Sequence, residues 1–300
     1  MFPAVLTTIL FSVSILFASK SARLVGPMQA NVSRLLLAML LLGIWAHGWG
    51  IGMSGVGLPW FLLSGLIGFG LGDICMFGAL SHIGPRLTIL LTQCLAAPIA
   101  TVGEYLLLGT RPSAGELLLG GIILLGVGIA LAPDKHWEGD ASRFRFGVLL
   151  GIGSAFGQAF GAVFSRRGYA ACQAIHVSID GGTVAYQRIS AGVLTTLLFW
   201  GVLIALGKSR EVRHSQKVWS ASAGYIVFNA LAGPTLGVAC FQWALMVAPS
   251  VQVLPIVATA PLLTMALAWG IEGAQPTRRT MIGATVAVMG TAGLAWMQSK

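Results

Sequence analysis

Ten apolar runs, most of them close to 20 residues long and separated by short polar joints, constrain this chain more than any other feature. A helix of about 20 apolar residues crosses the roughly 30 Å hydrocarbon core of a bilayer and makes all its backbone hydrogen bonds internally. The runs occupy residues 2–19, 27–47, 58–80, 86–108, 115–132, 146–165, 182–206, 219–246, 251–270 and 279–297. The sequence therefore predicts an all-α polytopic membrane protein with ten transmembrane helices.

The charge of the chain supports a membrane location. Only 9% of the residues are charged, whereas a soluble domain carries about 25%. The net charge is +9, yet Lys and Arg stand singly or in small groups in the joints and form no basic face. We therefore expect a lipid bilayer as the partner and no nucleic acid. The sequence does not indicate an oligomeric state.

The second half of the chain repeats the first at an offset of 165 residues. The matched pairs are Leu71 with Leu236, Gly72 with Gly237, Cys75 with Cys240, Ala79 with Ala244, and Leu80 with Leu245. This predicts one five-helix repeat over residues 1–132, a connecting loop over 133–145 and a second repeat over 146–300. Because five is an odd number of crossings, the second repeat enters the membrane from the opposite side. Inverted repeats of this kind are typical of transporters.

Several short motifs follow one another in an order that resembles a known family. The first run ends at Lys20, RLLLAMLLLG opens the second, FGQAFGAVFSRR lies in the sixth, and the fourth and ninth contain proline. Together they resemble the drug/metabolite transporter superfamily, specifically the EamA-type permeases. The resemblance implies ten helices, export of small metabolites, and a cavity lined by helices one, three, four, six, eight and nine. One departure is Gly109–Thr110–Arg111, where the family often carries Gly-Glu after the fourth helix; Glu272 remains near the end of the ninth.

Polar side chains inside the apolar runs are few, and such groups rarely face lipid. We expect them to face a pocket, with aromatic residues as its apolar walls. The candidate substrate-binding residues are Ser14, Asp73, Phe77, Gln93, Gln158, Asn229, Gln242 and Trp243. Arg34 and Arg188 are instead interpreted as anchors that reach the headgroups. Glu104 is expected to reach an interface or to pair with a basic residue.

Asp73 breaks the internal symmetry, because the repeat places it on Val238. A carboxyl group inside a membrane helix loses hydration, which favours its protonated form. Asp73 is therefore the candidate for proton coupling. Two alternatives stay open, a structural carboxylate that pairs with an arginine or bonds to the fourth helix, and facilitated diffusion without coupling.

Prolines inside the runs are candidate helix breaks. Proline lacks a backbone donor and frees a carbonyl, and interrupted helices at matching positions of two repeats indicate a substrate site. The candidates are Pro98, Pro234, Pro255 and Pro261. Plain kinks are the alternative interpretation.

The titratable residues inside the runs have no catalytic spacing, and the sequence contains no P-loop, GxSxG or HExxH motif. We therefore predict a secondary transporter, an exporter of a small metabolite such as an amino acid, in a bacterial-type inner membrane. No enzymatic activity, cofactor or metal is expected. A passive channel, a lipid flippase and an intramembrane enzyme remain the alternatives.

The two faces of the predicted bundle differ in positive charge. One face carries Lys20, Arg23, Arg86, Lys135, Arg143, Arg145, Lys208, Arg210, Arg213, Lys217, Arg278 and Arg279. The other carries Arg111, Arg166, Arg167 and Lys300. Since cytoplasmic loops are enriched in Lys and Arg, this distribution predicts both termini outside. The family resemblance implies the opposite orientation.

Overall fold

The computed structural model describes residues 1–131, 141–206, 216–272 and 277–297, and all regular secondary structure within them is helical. The helices are α1 (Phe2–Val25), α2 (Pro27–Gly48), α3 (Leu58–Gly65), α4 (Asp73–Leu108), α5 (Ala114–Leu131), α6 (Ala141–Gln173), α7 (Gly181–Ala205), α8 (Gln216–Ala230), α9 (Leu236–Val247), α10 (Ser250–Val257), α11 (Ala260–Glu272) and α12 (Arg278–Met297). Two π-helical segments, Leu66–Gly72 and Leu231–Thr235, connect α3 to α4 and α8 to α9.

Nine segments of the described chain are long and apolar enough to cross a membrane. Each of the first nine predicted runs overlaps one of them. The chain is therefore an integral multi-pass membrane protein, as predicted. The predicted tenth run coincides with α12, which packs along α5.

Helix α6 lies beside both the third and the fourth predicted runs, and neighbouring residues show their directions. The close pairs are Gly72 with Gly157, Ile83 with Gly147, Leu91 with Gly151, and Gly103 with Val163. The chain up to Ile83 therefore runs antiparallel to α6, and from Leu91 it runs parallel. The residues from Asp73 to Leu108 are helical without a gap. The chain nevertheless reverses its direction relative to α6 between Ile83 and Leu91.

The helix interruptions fall at only some of the predicted prolines. Pro234 lies in the second π segment, and the chain turns at Ala258 and Thr259, between Pro255 and Pro261. Helix α4 continues through Pro98, so the break predicted there is absent. Packed membrane helices tolerate a proline where neighbouring groups satisfy the freed backbone.

Hydroxyl groups of α1 stabilise the turn between α10 and α11. Thr8 Oγ1 donates a hydrogen bond to the carbonyl of Ile256 at 3.2 Å, and Ser12 Oγ donates to the carbonyl of Ala260 at 2.8 Å. Backbone groups at a break in hydrocarbon need such partners. The interruption is therefore held against α1.

Candidate functional site

A cavity of about 170 Å³ lies between seven helical segments. Its apolar walls are Phe11, Phe69, Met76, Val238, Phe241 and Val257. Its polar lining consists of Asp73, Thr92, Gln93, Ser154, Gln158 and Arg188. Apolar walls with a few convergent polar groups are typical of small-molecule sites. The six runs implied by the resemblance all contribute, and α7 adds Arg188 as a seventh.

Two charged residues line this cavity, Asp73 and Arg188, and Arg34 contacts Asp73 from outside the lining; these three are here called the cavity cluster. Arg34 Nη2 lies 3.9 Å from Asp73 Oδ2, and both side chains are 19% exposed. This distance exceeds that of a hydrogen bond, and Asp73 Oδ2 is buried without a hydrogen-bond partner among the described residues. The pairing with an arginine that the sequence left open is present, but it is loose.

Arg188 is held at the cavity by packing of its backbone and its guanidinium group. Gly65 lies directly against the Arg188 backbone, where a larger residue would collide. The guanidinium group lies 5.3 Å from the centre of the Phe69 ring, a distance that permits a cation–π interaction. Arg188 is only 5% exposed. Its interpretation as a headgroup anchor is therefore wrong, because the side chain faces the interior of the bundle.

Two glutamines join α4 and α6 at the cavity. Gln158 Nε2 donates a hydrogen bond to Gln93 Oε1 at 2.9 Å. This bond does not use the amide nitrogen of Gln93 or the carbonyl oxygen of Gln158, each of which can form further hydrogen bonds. Asp73, Gln93 and Gln158 are thus the predicted site residues that the structure brings together.

Four other predicted site residues, Ser14, Asn229, Gln242 and Trp243, are not among the residues that line the cavity. Ser14 donates a hydrogen bond to Asn229 Oδ1 at 2.7 Å, which links α1 to α8. Gln242 is fully buried, and neither its oxygen nor its nitrogen has a partner among the described residues. Trp243 is 40% exposed and meets the Phe2 ring edge-on at 6.2 Å. Phe77 belongs to α4, but its side chain lies outside the described residues.

A second buried ionic group, here called the Glu104 cluster, consists of Glu104, Arg166, Ser250 and the carbonyl of Leu245. Arg166 Nε donates to Glu104 Oε1 at 2.9 Å, and its Nη1 donates to the Leu245 carbonyl at 2.8 Å. The backbone nitrogen of Ser250 donates to Glu104 Oε2 at 2.8 Å, and the Ser250 hydroxyl donates to the same oxygen. Glu104 is 2% exposed. The cluster therefore joins α4, α6, α9 and α10.

The sequence placed Arg166 in a joint between helices, and this placement is wrong. Helix α6 extends to Gln173, so Arg166 lies inside it. Arg166 stands eight residues beyond Gln158, about 12 Å along the helix at 1.5 Å per residue. The Glu104 cluster is thus separated from the cavity by about two turns of α6.

Asp180 caps the N-terminus of α7. Its carboxylate accepts hydrogen bonds from the backbone nitrogen of Thr183 at 2.9 Å and from Trp45 Nε1 at 2.8 Å. Partial burial acts to raise the pKa of Asp180, but the bonds from Thr183 and Trp45 hold this pKa below its usual range. The cap also fixes the end of α2 to the start of α7.

Comparison with known proteins identifies the family. A sequence profile of the EamA-like transporter family matches residues 1–132 and 145–296. This chain belongs to the EamA-like transporter family. The EamA resemblance drawn from the motifs is confirmed, and with it the membership of the drug/metabolite transporter superfamily.

A solved crystal structure shares the fold of this EamA-like transporter. It has 18% sequence identity and a TM-score of 0.76, and the alignment covers 98% of this chain and 97% of that one. At this identity the likeness shows the fold alone. No curated protein matches the sequence at a significant level.

Sequence reasoning missed Arg188 as a cavity residue of this EamA-like transporter. The residue lies about two helical turns from the start of α7, which is compatible with either an anchor or an interior position. The glycines of neighbouring helices could have distinguished an interior position from a headgroup anchor. Gly65 and Gly68 on the third run, with Gly161 on the sixth, leave room for a large side chain from a neighbouring helix.

Proposed function

We propose that this EamA-family protein is a secondary transporter that exports a small metabolite, such as an amino acid, across a bacterial-type inner membrane. The cavity carries this proposal, since it combines charged groups, an amide pair and aromatic walls inside a helical membrane bundle. Substrate would reach it alternately from each side. The alternatives of a passive channel and a lipid flippase are outcomes of the transport experiment below.

We further propose that the chain consists of two inverted five-helix repeats. The two π-helical segments begin at Leu66 and Leu231, which differ by the 165 residues of the sequence repeat. Asp73 and Val238, which the same offset relates, both line the cavity. These correspondences support a pseudo-two-fold arrangement around the site, as in transporters with inverted repeats.

The Glu104 cluster is a suitable gate for alternating access. It joins four helices about two turns of α6 away from the cavity. Movement of α10 and α9 away from α4 and α6 would break these hydrogen bonds and open that end of the bundle. An ion pair of this kind gives the closed state a discrete arrangement, which a two-state transition requires.

Asp73 is the proposed proton-coupling group. Burial favours its neutral form, whereas the nearby charges of Arg34 and Arg188 favour the carboxylate. A change in exposure as the cavity opens to either side would alter this balance. The loose contact to Arg34 at 3.9 Å leaves the carboxylate free to exchange a proton or to bind a substrate amine.

Transport into proteoliposomes tests this function. Purified protein is reconstituted, and uptake of labelled amino acids is measured with and without an imposed pH gradient. The wild type should accumulate substrate against its gradient only when the pH gradient is present. Asp73→Asn preserves size and hydrogen bonding but cannot titrate, so it should equilibrate substrate without accumulating it.

Glu116→Gln is the matched control, because Glu116 bonds to Ser113 and Gln252 outside the cavity lining. It should accumulate substrate like the wild type. Unchanged accumulation and pH dependence in a folded Asp73→Asn variant would exclude Asp73 as the coupling group. Non-saturating flux would favour a channel, and movement of labelled lipid alone would favour a flippase.

A further inference from the structure

The cavity cluster holds more positive than negative charge. Arg34 and Arg188 face a single acid, Asp73, which gives a formal charge of +1. Asp73 makes its ion pair with Arg34, and in the described part of the chain no carboxylate oxygen lies within 4 Å of Arg188. A buried charge without a partner costs several kcal/mol. The cluster would therefore be stabilised by an anion.

Unpartnered hydrogen-bond donors accompany this charge. Arg188 Nε and the Thr92 hydroxyl are both buried and have no partner among the described residues. A guanidinium group donates hydrogen bonds and accepts none. The cavity thus offers unused donors, which require an acceptor from a ligand.

The neighbours of the guanidinium group hold it in position at the cavity. A Cβ atom on Gly68 or Gly161 would lie 3.2 or 3.3 Å from Arg188 Nη2, so glycine at both positions makes room for the guanidinium group itself. The Phe69 ring restricts the orientation of the guanidinium group. A pre-oriented arginine fork binds a carboxylate through two parallel hydrogen bonds.

We propose that Arg188 binds the carboxylate of a small substrate whose short apolar body packs against Phe11 and Phe241, which both line the cavity. Thr92 supplies another donor in the same cavity, and the ammonium group of an amino acid would face Asp73. This inference rests on the proposed transport function and names the chemistry by which its site selects a substrate. A cavity of about 170 Å³ limits the substrate to a small molecule.

Binding to the purified protein tests this assignment with matched probes. The probes are L-leucine, isocaproate, which lacks the amino group, isoamylamine, which lacks the carboxylate, and inorganic phosphate. Binding is measured by calorimetry and by ligand-induced thermal stabilisation in detergent. Leucine and isocaproate should bind to the wild type, and isoamylamine and phosphate should bind at least about tenfold more weakly, as expected for a lost charge-assisted hydrogen-bond pair.

Two substitutions of Arg188 separate charge from geometry. Arg188→Gln should weaken leucine and isocaproate binding at least about tenfold and leave isoamylamine binding unchanged. Arg188→Lys keeps the charge but not the fork, so it should retain intermediate affinity and serves if the glutamine variant does not fold. Arg167→Gln is the control, because Arg167 is exposed and lies over Trp60, away from the cavity.

Four results would overturn the assignment. They are equal binding of isoamylamine and leucine, preferential binding of phosphate, wild-type affinity in both Arg188 variants, and no binding of either carboxylate at millimolar concentration. The proposed transport function fails separately. Transport of an amine without carboxylate binding would refute only the role of Arg188. Arg188-dependent binding of a carboxylate without any transport would refute only the proposed transport function.

Discussion

The Glu104 cluster and the cavity cluster, two ionic groups in the described part of the chain, each combine a carboxylate with arginine but differ in how their hydrogen-bonding groups are satisfied. Glu104 accepts hydrogen bonds on both carboxylate oxygens, and Arg166 donates hydrogen bonds to Glu104 and to a backbone carbonyl. In the cavity cluster, Asp73 is 3.9 Å from Arg34, and Arg188 Nε has no partner among the described residues.

This difference indicates different roles for the two groups. A carboxylate and a guanidinium that satisfy each other in a dry interior hold helices together, since separating them leaves a buried charge. Charges that remain partly unsatisfied around a cavity can instead change partners. We therefore interpret the Glu104 cluster as a lock that holds the closed arrangement of its four helices, and the cavity cluster as a binding site.

The largest expected effect is on stability and compares the two acids directly. Glu104→Gln should lower the free energy of unfolding by about 3–5 kcal/mol, because it leaves Arg166 without its counter-charge. Asp73→Asn should cost less, because Asp73 lies 3.9 Å from Arg34 and its Oδ2 makes no hydrogen bond among the described residues that the substitution could remove. Unfolding of both variants is followed by titration with a denaturing detergent.

Each variant replaces one carboxylate by an amide of similar size, so each serves as the matched control for the other. Equal losses of stability in the two variants would show that the cavity cluster is as structural as the Glu104 cluster. The comparison would then no longer separate a lock from a binding site.

A smaller loss of stability is expected at Gly65, which packs against the backbone of Arg188. Gly65→Ala places a methyl group against the Arg188 backbone and should destabilise the protein by about 1–3 kcal/mol through overpacking. Gly121→Ala is the control, because a Cβ atom on Gly121 has no neighbour within 4 Å. The same detergent titration checks both, and an equal response would refute the close packing that holds Arg188.

The smallest effect concerns Asp180, which is exposed at the start of α7 and caps it. Asp180→Ala should lower the free energy of unfolding by about 1 kcal/mol, the usual cost of losing an N-cap, and Asp180→Asn by less. Because folding lowers the pKa of this carboxyl, its contribution is present at neutral pH. It should be lost as the pH falls below about 4, the ordinary pKa of aspartate.

This pH dependence is measured as the difference in stability between wild type and Asp180→Ala from pH 7 to pH 3. The difference should shrink at the acid end. A difference that stays constant or grows on acidification would mean that the cap acts without its charge.

The positions of the membrane segments were predictable from the sequence, whereas the internal shape of the segments was predictable only in part. Runs of apolar residues identify spans because hydrocarbon excludes unpaired backbone groups. Pro234 marked a real irregularity, but Pro98 did not, since α4 continues through it. Whether a proline interrupts a helix depends on which neighbouring groups satisfy the freed carbonyl, and a local sequence does not contain those neighbours.

The cavity was predictable to a similar extent. Asp73, Gln93 and Gln158 line it as expected of polar residues inside apolar runs. Ser14 and Asn229 are also polar residues inside apolar runs, but they form a hydrogen bond with each other and do not line the cavity. A polar group in a membrane helix needs a partner, and the rule does not say whether that partner is a ligand or a side chain.

The orientation of the chain stays a prediction, and one residue now bears on it. Arg166 was counted among the charges of the less positive face, but it forms an ion pair with the buried Glu104. The count without Arg166 still favours both termini outside. A C-terminal reporter that is active only in the cytoplasm distinguishes this from the orientation that the family resemblance implies.

The sequence by itself determined that this chain is a helical multi-pass membrane protein and that it resembles EamA-type permeases, because apolar run length and motif order are properties of the chain alone. Only the tertiary structure decided which buried charges pair. Arg34 meets Asp73, Arg166 meets Glu104, and Arg188 is left at the cavity with an unpartnered Nε. The physical reason is that ion pairing depends on distances of a few ångströms between side chains that lie 39 to 62 positions apart in the chain.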